Sequence, residues 1–384
     1  APPSYPHGTA QDETKLCLEA YMDTLWRPGE RTWSIYHGGA PGSPFDVQGR
    51  PSTFMLALEL GARIVDDPAL AAAYRARFAE AAAAGADTGG FELPFYVGDP
   101  LNAMLGLRNA VQQMLGEQWA DGSWRFDADQ PLALNPDLTG AYFGEDNAAE
   151  LGIGARQALT VMTFARMTGD KTATERGLLA LEFMKRFKVP RAAQVWEIPV
   201  HAADMLAASL ASQAYLEGYL ATGRADLLNE AVRWARAGLQ FIYIWSDPAY
   251  PAMLYGSIPV YGATFYTGSW FGRLVQWCGL DLAYAALRLA PYDDSYDWAT
   301  IGRGIYTSAL YQVQTAAGDR GVYPDSFGVL DGSTGPPYIA PQAILAALWT
   351  DQGRMPLPQT RQIPFGGGLA RVTSPARATV DPGV

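Results

Sequence analysis

Apolar residues recur at the spacing of a helix face through most of this chain of 384 residues. The stretches with this pattern are predicted to be helices. No stretch of eighteen uncharged apolar residues is present, so no membrane-spanning helix is expected. The predicted helices cover residues 11–26, 53–65, 68–85, 99–115, 146–168, 171–187, 200–222, 225–242, 268–290, 296–315 and 341–350.

The connections between these helices alternate between two lengths. A short link between two helices makes an antiparallel hairpin, whereas loops longer than about fifteen residues are uncommon and usually functional. The short connections are 66–68, 168–170, 222–224 and 291–295. The long connections are 89–100, 116–146, 189–200, 243–270 and 317–341.

The alternation predicts an all-α fold, the α/α toroid. Because successive helices run up and down, the short turns fall at one end and the long loops at the other. The helical hairpins then form an incomplete or full (α/α)6-type barrel, made irregular by the helix at 99–115, which lacks a short-turn partner. Residues 1–355 are expected to form this catalytic domain. Residues 356–384 are expected to be an extended or β-like C-terminal segment, with a solvated tail as the alternative.

The composition excludes several classes of function. A formal net charge of −11 leaves no basic footprint for nucleic acid. Cys17 and Cys278 are too few for a disulfide framework and are expected to be buried free thiols. With 3 histidines and no cysteine cluster, neither a transition-metal site nor a cofactor is expected. A processed N-terminus would favour a secreted or periplasmic location, which the sequence otherwise leaves open.

Carboxylates and aromatic side chains are concentrated in the long loops. This mixture suits a carbohydrate, because sugar rings stack on aromatic faces and carboxylates accept hydrogen bonds from hydroxyl groups. The alternative is that the aromatics pack the loops and the acids cap helices. The loop acids are Glu92, Asp99, Asp121, Asp127, Asp129, Asp137, Glu145, Asp146, Glu197, Asp204, Asp247 and Asp325. The side chains expected to bind substrate are Trp196, His201, Trp124, Tyr142, Tyr261, Tyr266, Trp270 and Arg273.

Glu197 is the strongest catalytic candidate. It follows Trp196 and precedes an Ile-Pro step just before a predicted helix. Apolar surroundings raise the pKa of a carboxyl, which is what a general acid needs near neutral pH. The alternative is a carboxylate that complements the helix dipole.

Glu145 and Asp146 are the next catalytic candidates. They stand side by side before the helix predicted at 146–168, so one could activate water while the other caps the helix. His201 precedes Asp204 by three positions, and the two could form a His–Asp unit. A structural role for this histidine is the alternative.

The chain resembles the six-hairpin glycosidase superfamily over roughly residues 11–350. The resemblance is carried by the hairpin rhythm, the trailing β-like segment, and the loops "GEDN" at 144–147, "VWEIPVHAAD" at 195–204 and "YTGSWFG" at 266–272. It implies a sugar-binding cleft at the loop end of the toroid and catalysis by two acidic residues, often with inversion. No single glycoside hydrolase family is identified.

Three functions remain open on this sequence. The first is a glycoside hydrolase that acts on an oligosaccharide or polysaccharide, with Glu197 as acid and Glu145 or Asp146 as base. The second is a polysaccharide lyase acting on a uronate polymer, with His201, Tyr261 or Tyr266 as base and Arg273 as charge neutraliser. The third is a non-catalytic glycan-binding toroid. A single "GEQW…GSW" stretch at 116–124 resembles the QW repeat of triterpene cyclases, but their Asp-rich acid motif is missing.

Overall fold

The structure is a computed structural model of the chain, which forms two compact units. Unit 1 comprises Ala1–Thr88 and Gly238–Met355, and unit 2 comprises Gly89–Ala237 and Pro356–Val384. The predicted division at residue 355 stays a prediction. The residues that the structure describes are 4–88, 92–132, 135–261, 263–264, 268–269, 272–354, 359–365 and 368–374.

Helices account for most of the described residues. They are α1 (Ala10–Glu19), α2 (Ser52–Ile64), α3 (Pro68–Ala83), α4 (Leu93–Val97), α5 (Pro100–Glu117), α6 (Leu151–Thr168), α7 (Lys171–Met184), α8 (Met205–Thr222), α9 (Ala225–Gly238), α10 (Gln276–Leu289), α11 (Trp298–Leu310) and α12 (Gln342–Asp351). A π-helical turn, Ala20–Thr24, extends α1. No described helix is both long enough and apolar enough to cross a membrane.

The strands are short. They are β1 (Trp26–Arg27), β2 (Thr32–Ser34), β3 (Tyr36–His37), β4 (Gln48–Gly49), β5 (Pro131–Leu132), β6 (Asn135–Thr139), β7 (Ala263–Thr264), β8 (Gly268–Ser269), β9 (Arg273–Leu274), β10 (Tyr323–Gly328), β11 (Thr334–Ile339), β12 (Gln359–Phe365) and β13 (Gly368–Ser374). All described strand pairs are antiparallel.

Every predicted helix is found, but three of them begin five or more residues later than their apolar patterns indicated. Helix α6 begins at Leu151, α8 at Met205 and α10 at Gln276. For α8 the cause is a cap: Asp204 has an extended backbone and its carboxylate accepts the N–H of Ala207 at 2.7 Å. The residues directly ahead of α6 and α8 are therefore loop and belong to the candidate site of unit 2, whereas strand β9 lies directly ahead of α10.

Unit 1 packs α10, α11 and α12 against one another, and α2 against α3 and α12. Two indole N–H groups satisfy polar atoms in its core. Trp33 donates to the carbonyl of Tyr21 at 2.9 Å, and Trp349 donates to Thr14 Oγ1 at 3.2 Å. Cys17 and Cys278 are free and buried in this unit, as predicted.

Two strands of a sheet in unit 1, β10 and β11, lie in the segment 317–341, which was predicted to be a long loop, and a third, β9, lies in the segment 268–290, which was predicted to be a helix. The strand order is β3-β11-β10-β9, with β10 and β11 joined as a hairpin. The pairing is irregular between Pro324 and Ser326 of β10, opposite Pro336 and Pro337 of β11. Proline has no N–H to donate to a neighbouring strand, so this pair interrupts the ladder.

Unit 2 packs α6 against both α7 and α8. Helix α8 is buried on all sides from Met205 to Gly218, which places it in the core of the unit. Arg166 of α6 and Glu217 of α8 form an ion pair at 2.5 Å, with side chains 11% and 3% exposed. This pair fixes the two central helices to each other at the end remote from their first turns.

The C-terminal β-like segment is confirmed as the hairpin β12–β13, which packs on the end of α6. Arg371 donates to the carbonyl of Arg166 at 3.2 Å, and Thr373 Oγ1 donates to the carbonyl of Met167 at 3.2 Å. A Cβ on Gly169 would lie 2.5 Å from the Arg371 side chain, so the glycine that ends α6 also admits this arginine.

Candidate functional site

The loop before α6 and the loop before α8 meet in unit 2. Val200 N–H donates to the carbonyl of Phe143, and Gly152 N–H donates to the carbonyl of Arg191, each at 2.8 Å. These bonds bring the "GEDN" loop against the "VWEIPVHAAD" loop. The polar residues before α8 therefore face another polar loop and do not stand alone at a helix start.

Small residues allow the two loops to approach closely. A Cβ on Gly144 would lie 2.5 Å from the side chain of Val200, and one on Gly152 would lie 2.5 Å from the backbone N of Ala193. A buried apolar cluster packs beneath the surface of both loops. Its members are Phe126, Ala128, Leu132, Phe143, Ala148, Ala192 and Val200.

His201 lies between two glutamates in the resulting site. Its Nε2 is 2.9 Å from Glu145 Oε1, and its Nδ1 is 2.9 Å from Glu150 Oε1. The side chain of Glu150 is 8% exposed, whereas that of Glu145 is 64% exposed. Arg191 Nη1 approaches the same Glu150 oxygen at 3.6 Å. The buried Glu150 thus holds His201 and Arg191 from the protein interior, while Glu145 is exposed to solvent.

The charges of this cluster reinforce one another. The carboxylates of Glu150 and Glu145 raise the pKa of His201 above its ordinary value. The pKa of Glu145 is lowered by a hydrogen bond to its own backbone N–H and by His201. Both ring nitrogens of an imidazolium donate hydrogen bonds, so the charged form satisfies both carboxylates at once. The site therefore favours a charged histidine beside an ionised Glu145.

Asp204 does not pair with His201. Its carboxylate is fully buried, accepts the N–H of Ala193 at 2.9 Å and caps α8 through Ala207. Burial raises the pKa of Asp204 to about 6, against these hydrogen bonds, which lower it. Of the two roles considered for His201, the His–Asp unit is not found, and Asp204 instead ties the start of α8 to the loop ahead of it.

Glu197 lies in a tight turn, well ahead of α8. The N–H groups of Glu197 and Ile198 both donate to the carbonyl of Gln194, at 3.1 and 3.2 Å. The side chain of Glu197 is largely enclosed, with the residue 9% exposed, and Trp196 is half-buried beside it. Because α8 begins only at Met205, the helix-dipole alternative for Glu197 does not apply.

Asp146 holds its own loop together. Its Oδ1 accepts the N–H of Ala128 at 3.2 Å, and its Oδ2 accepts from Asn147 Nδ2 at 2.6 Å. It does not cap α6, whose N-cap position is Glu150. Asp99 occupies the N-cap of α5 but makes no capping hydrogen bond through its side chain.

The aromatic residues of unit 2 that were predicted to contact substrate differ in how far they are exposed to solvent. Tyr142 is 61% exposed next to the Glu145 loop. Trp124 is 3% exposed, and its indole N–H donates to the carbonyl of Met114 at 2.8 Å, so it packs the loop against α5. Substrate contact by either side chain stays a prediction.

The remaining predicted residues belong to unit 1. Tyr261 is 53% exposed and stacks on Phe241 with ring centroids 4.8 Å apart. The guanidinium of Arg273 donates to the hydroxyls of Ser326 and Ser333, both at 3.1 Å. Tyr266 and Trp270 lie outside the described residues.

Sequence reasoning missed Glu150, the residue that anchors the cluster. It was passed over because the apolar pattern placed it inside a helix. The available signal was its position directly before the apolar run from Leu151, where an N-cap stands.

In the described part of the chain, no group of three His, Cys, Asp or Glu side chains is arranged to hold a metal ion.

A scan against protein-family models and a search of curated proteins gave no match. Solved structures do match. The unsaturated glucuronyl hydrolase of Bacillus sp. GL1 is 12% identical with a TM-score of 0.55, over 89% of this chain and 96% of that one. A D-mannose isomerase is 9% identical with a TM-score of 0.55, over 92% and 100%. An unsaturated glucuronyl hydrolase specific for heparin is 14% identical with a TM-score of 0.52, over 89% and 96%.

The fold is the α/α toroid. The likeness to these solved structures confirms the predicted fold class, and it confirms the resemblance at the level of the fold. At such low identity the likeness concerns the fold alone. The same fold serves a hydrolase and an isomerase, and function has to be argued from the side chains.

Proposed function

We propose that this protein is a glycoside hydrolase that cleaves an oligosaccharide or polysaccharide with two carboxylates, Glu197 as acid and Glu145 as base. The observation that carries the proposal is the hydrogen-bonded contact of their two loops through Val200 and Phe143. A glycosidase needs two carboxyl groups on opposite sides of one glycosidic bond, and two adjoining loops can supply them.

Glu145 suits the base better than Asp146. The carboxylate of Glu145 is exposed to water, and the lowered pKa keeps it in the ionised form that a base requires. Both oxygens of Asp146 already accept hydrogen bonds within the loop. Asp146 remains the alternative base, and its loop contacts indicate a positioning role.

Glu197 suits the acid because the turn around it shields the side chain from water. A proton donor must keep its proton until the leaving oxygen takes it. Inversion, which we also propose, requires the two carboxyl groups to stand roughly 6.5–9.5 Å apart so that a water fits between the base and the sugar.

Two similar toroids support a glycan substrate. One is named as responsible for the degradation of glycosaminoglycan and another as specific for heparin. The raised pKa of His201 argues against this histidine as the base of a lyase, because an imidazolium cannot abstract a proton, and it leaves Tyr261 and Tyr266 as the bases of that alternative.

The test is a screen of aryl glycosides and oligosaccharides, with products separated by chromatography. The proposal expects saturated sugar products from at least one substrate. Uronate polymers are included, with ultraviolet absorbance as the sign of an unsaturated product. Unsaturated products would replace the hydrolase by the lyase, and failure on every substrate would favour the binding module.

A further inference from the structure

Asp325 of unit 1 is an enclosed carboxyl that the proposed mechanism does not use. It lies on β10 at the irregularity opposite Pro336 and Pro337. Pro336 and Pro337 of β11 stand opposite the single residue Asp325, so the extra residue of this irregularity belongs to β11. Such irregularities are common next to functional sites, and Asp325 lies directly opposite one.

One oxygen of Asp325 is fixed by an indole. Trp277, in the first turn of α10, donates its Nε1–H to Asp325 Oδ1 at 3.1 Å. Across the described parts of the chain, no second hydrogen bond and no ion pair to this carboxyl is found. Its Oδ2 therefore has an acceptor position that a ligand can fill.

The neighbouring cation does not neutralise Asp325. Arg273 directs its Nε and Nη1 to Ser326 and Ser333, which hold it against the β10–β11 hairpin. Burial raises the pKa of Asp325 to about 6, although the Trp277 hydrogen bond and the charge of Arg273 both lower it. A shielded carboxyl with a single donor is costly to keep, and this marks candidate functional sites.

We propose that Asp325 and Trp277 form a carbohydrate-binding subsite in unit 1, in which Asp325 Oδ2 accepts a hydrogen bond from a sugar hydroxyl. A hydroxyl supplies the missing donor without bringing a second charge into a shielded position. Arg273, held by the two serines, keeps the hairpin that carries Asp325 in place. The substrate class rests on the proposed function, whereas the open acceptor position of Asp325 does not.

The experiment measures binding separately from hydrolysis. Binding of cellohexaose, mannohexaose, maltohexaose and a heparin hexasaccharide is followed by calorimetry and by tryptophan fluorescence, in the Glu197→Gln background so that no substrate is consumed. Asp325→Asn is added to this background, and Asp294→Asn, at an exposed aspartate of the same unit, is the matched control. Hydrolysis of the same sugars by the otherwise wild-type protein is measured in parallel.

We expect Asp325→Asn to weaken binding of at least one sugar tenfold or more and Asp294→Asn to change it less than twofold. Trp277→Phe, which keeps the carboxyl but removes its donor, should weaken binding severalfold and covers the case in which Asp325→Asn does not fold. The subsite proposal is overturned if Asp325→Asn binds every sugar with unchanged affinity. If Asp325→Asn does not fold, unchanged affinity in Trp277→Phe overturns it. Failure of all four sugars to bind also overturns it. If the wild type hydrolyses a sugar and Asp325→Asn binds it with unchanged affinity, the subsite is wrong and the proposed hydrolase is retained. If Asp325→Asn loses binding and the wild type hydrolyses none of the sugars, the subsite is retained and the proposed hydrolase is wrong.

Discussion

His201 Nε2 lies 2.9 Å from Glu145 Oε1, a contact between residues 56 positions apart in the chain. It joins the loop before α6 to the loop before α8 through a charged hydrogen bond at the surface. Because the other ring nitrogen is held by the buried Glu150, the exposed Glu145 is oriented from within the protein. The hydrogen bonds from Glu150 through His201 give Glu145, the proposed base, a defined position.

The first prediction concerns the pKa of His201. Glu150 is the largest cause of its elevation, so Glu150→Gln should lower the His201 pKa towards its ordinary value. The chain has only 3 histidines, so proton NMR titration can follow each ring. Glu175→Gln, at an exposed glutamate of α7, should leave the titration unchanged. An unaltered His201 pKa in Glu150→Gln would show that the pairing does not persist in solution.

The second prediction separates Glu145 from Asp146. Glu145→Gln should lower kcat on a hydrolysed substrate by about 10²–10⁴-fold, the usual contribution of a general base. Asp146→Asn can still accept a hydrogen bond from Ala128 and should retain most of the activity, with a lower melting temperature. The two variants are compared by steady-state kinetics and thermal unfolding. The reverse order of the two kcat losses would make Asp146 the base.

The third prediction concerns pH and stability. The pKa of Asp204 is raised to about 6 in the folded protein, so its favourable contribution to stability is present below about pH 3.8 and is lost as the pH rises through 6. The raised pKa of His201 acts in the same direction, with its contribution present below pH 6.5 and lost above its folded pKa. The free energy of unfolding of wild type relative to Asp204→Asn should fall on the order of 3 kcal/mol from pH 4 to 7. Denaturant titrations at each pH measure this difference, and a constant difference is the contrary result.

The fourth prediction concerns the core of unit 2. Glu217→Gln leaves the buried charge of Arg166 without its ion-pair partner and should lower the free energy of unfolding by about 3–5 kcal/mol. Glu230→Gln removes the more exposed partner of Arg233 on α9 and should cost about 1 kcal/mol or less. Urea unfolding of both variants gives the comparison. Equal losses would mean that burial does not distinguish the two pairs.

The sequence predicts the helices and the toroid because helical periodicity and connector length are local properties of the chain. The strands β10 and β11 were missed, since prolines interrupt the alternation that identifies a strand. The site was predicted in part. Glu145 and His201 stand in recognisable loops, but their contact depends on how two separate loops pack. Glu150 was hidden because the apolar pattern continues across the end of the loop, where α6 begins without a capping hydrogen bond from a side chain.

We propose that two carboxylates on adjoining loops of unit 2 hydrolyse a glycosidic bond. The most direct measurement is proton NMR of the first anomer released from a cleaved oligosaccharide, by wild type and by Glu197→Gln and Glu145→Gln. We expect wild type to release the inverted anomer and each variant to release product at least about a hundredfold more slowly. Wild-type rates in both variants would contradict it.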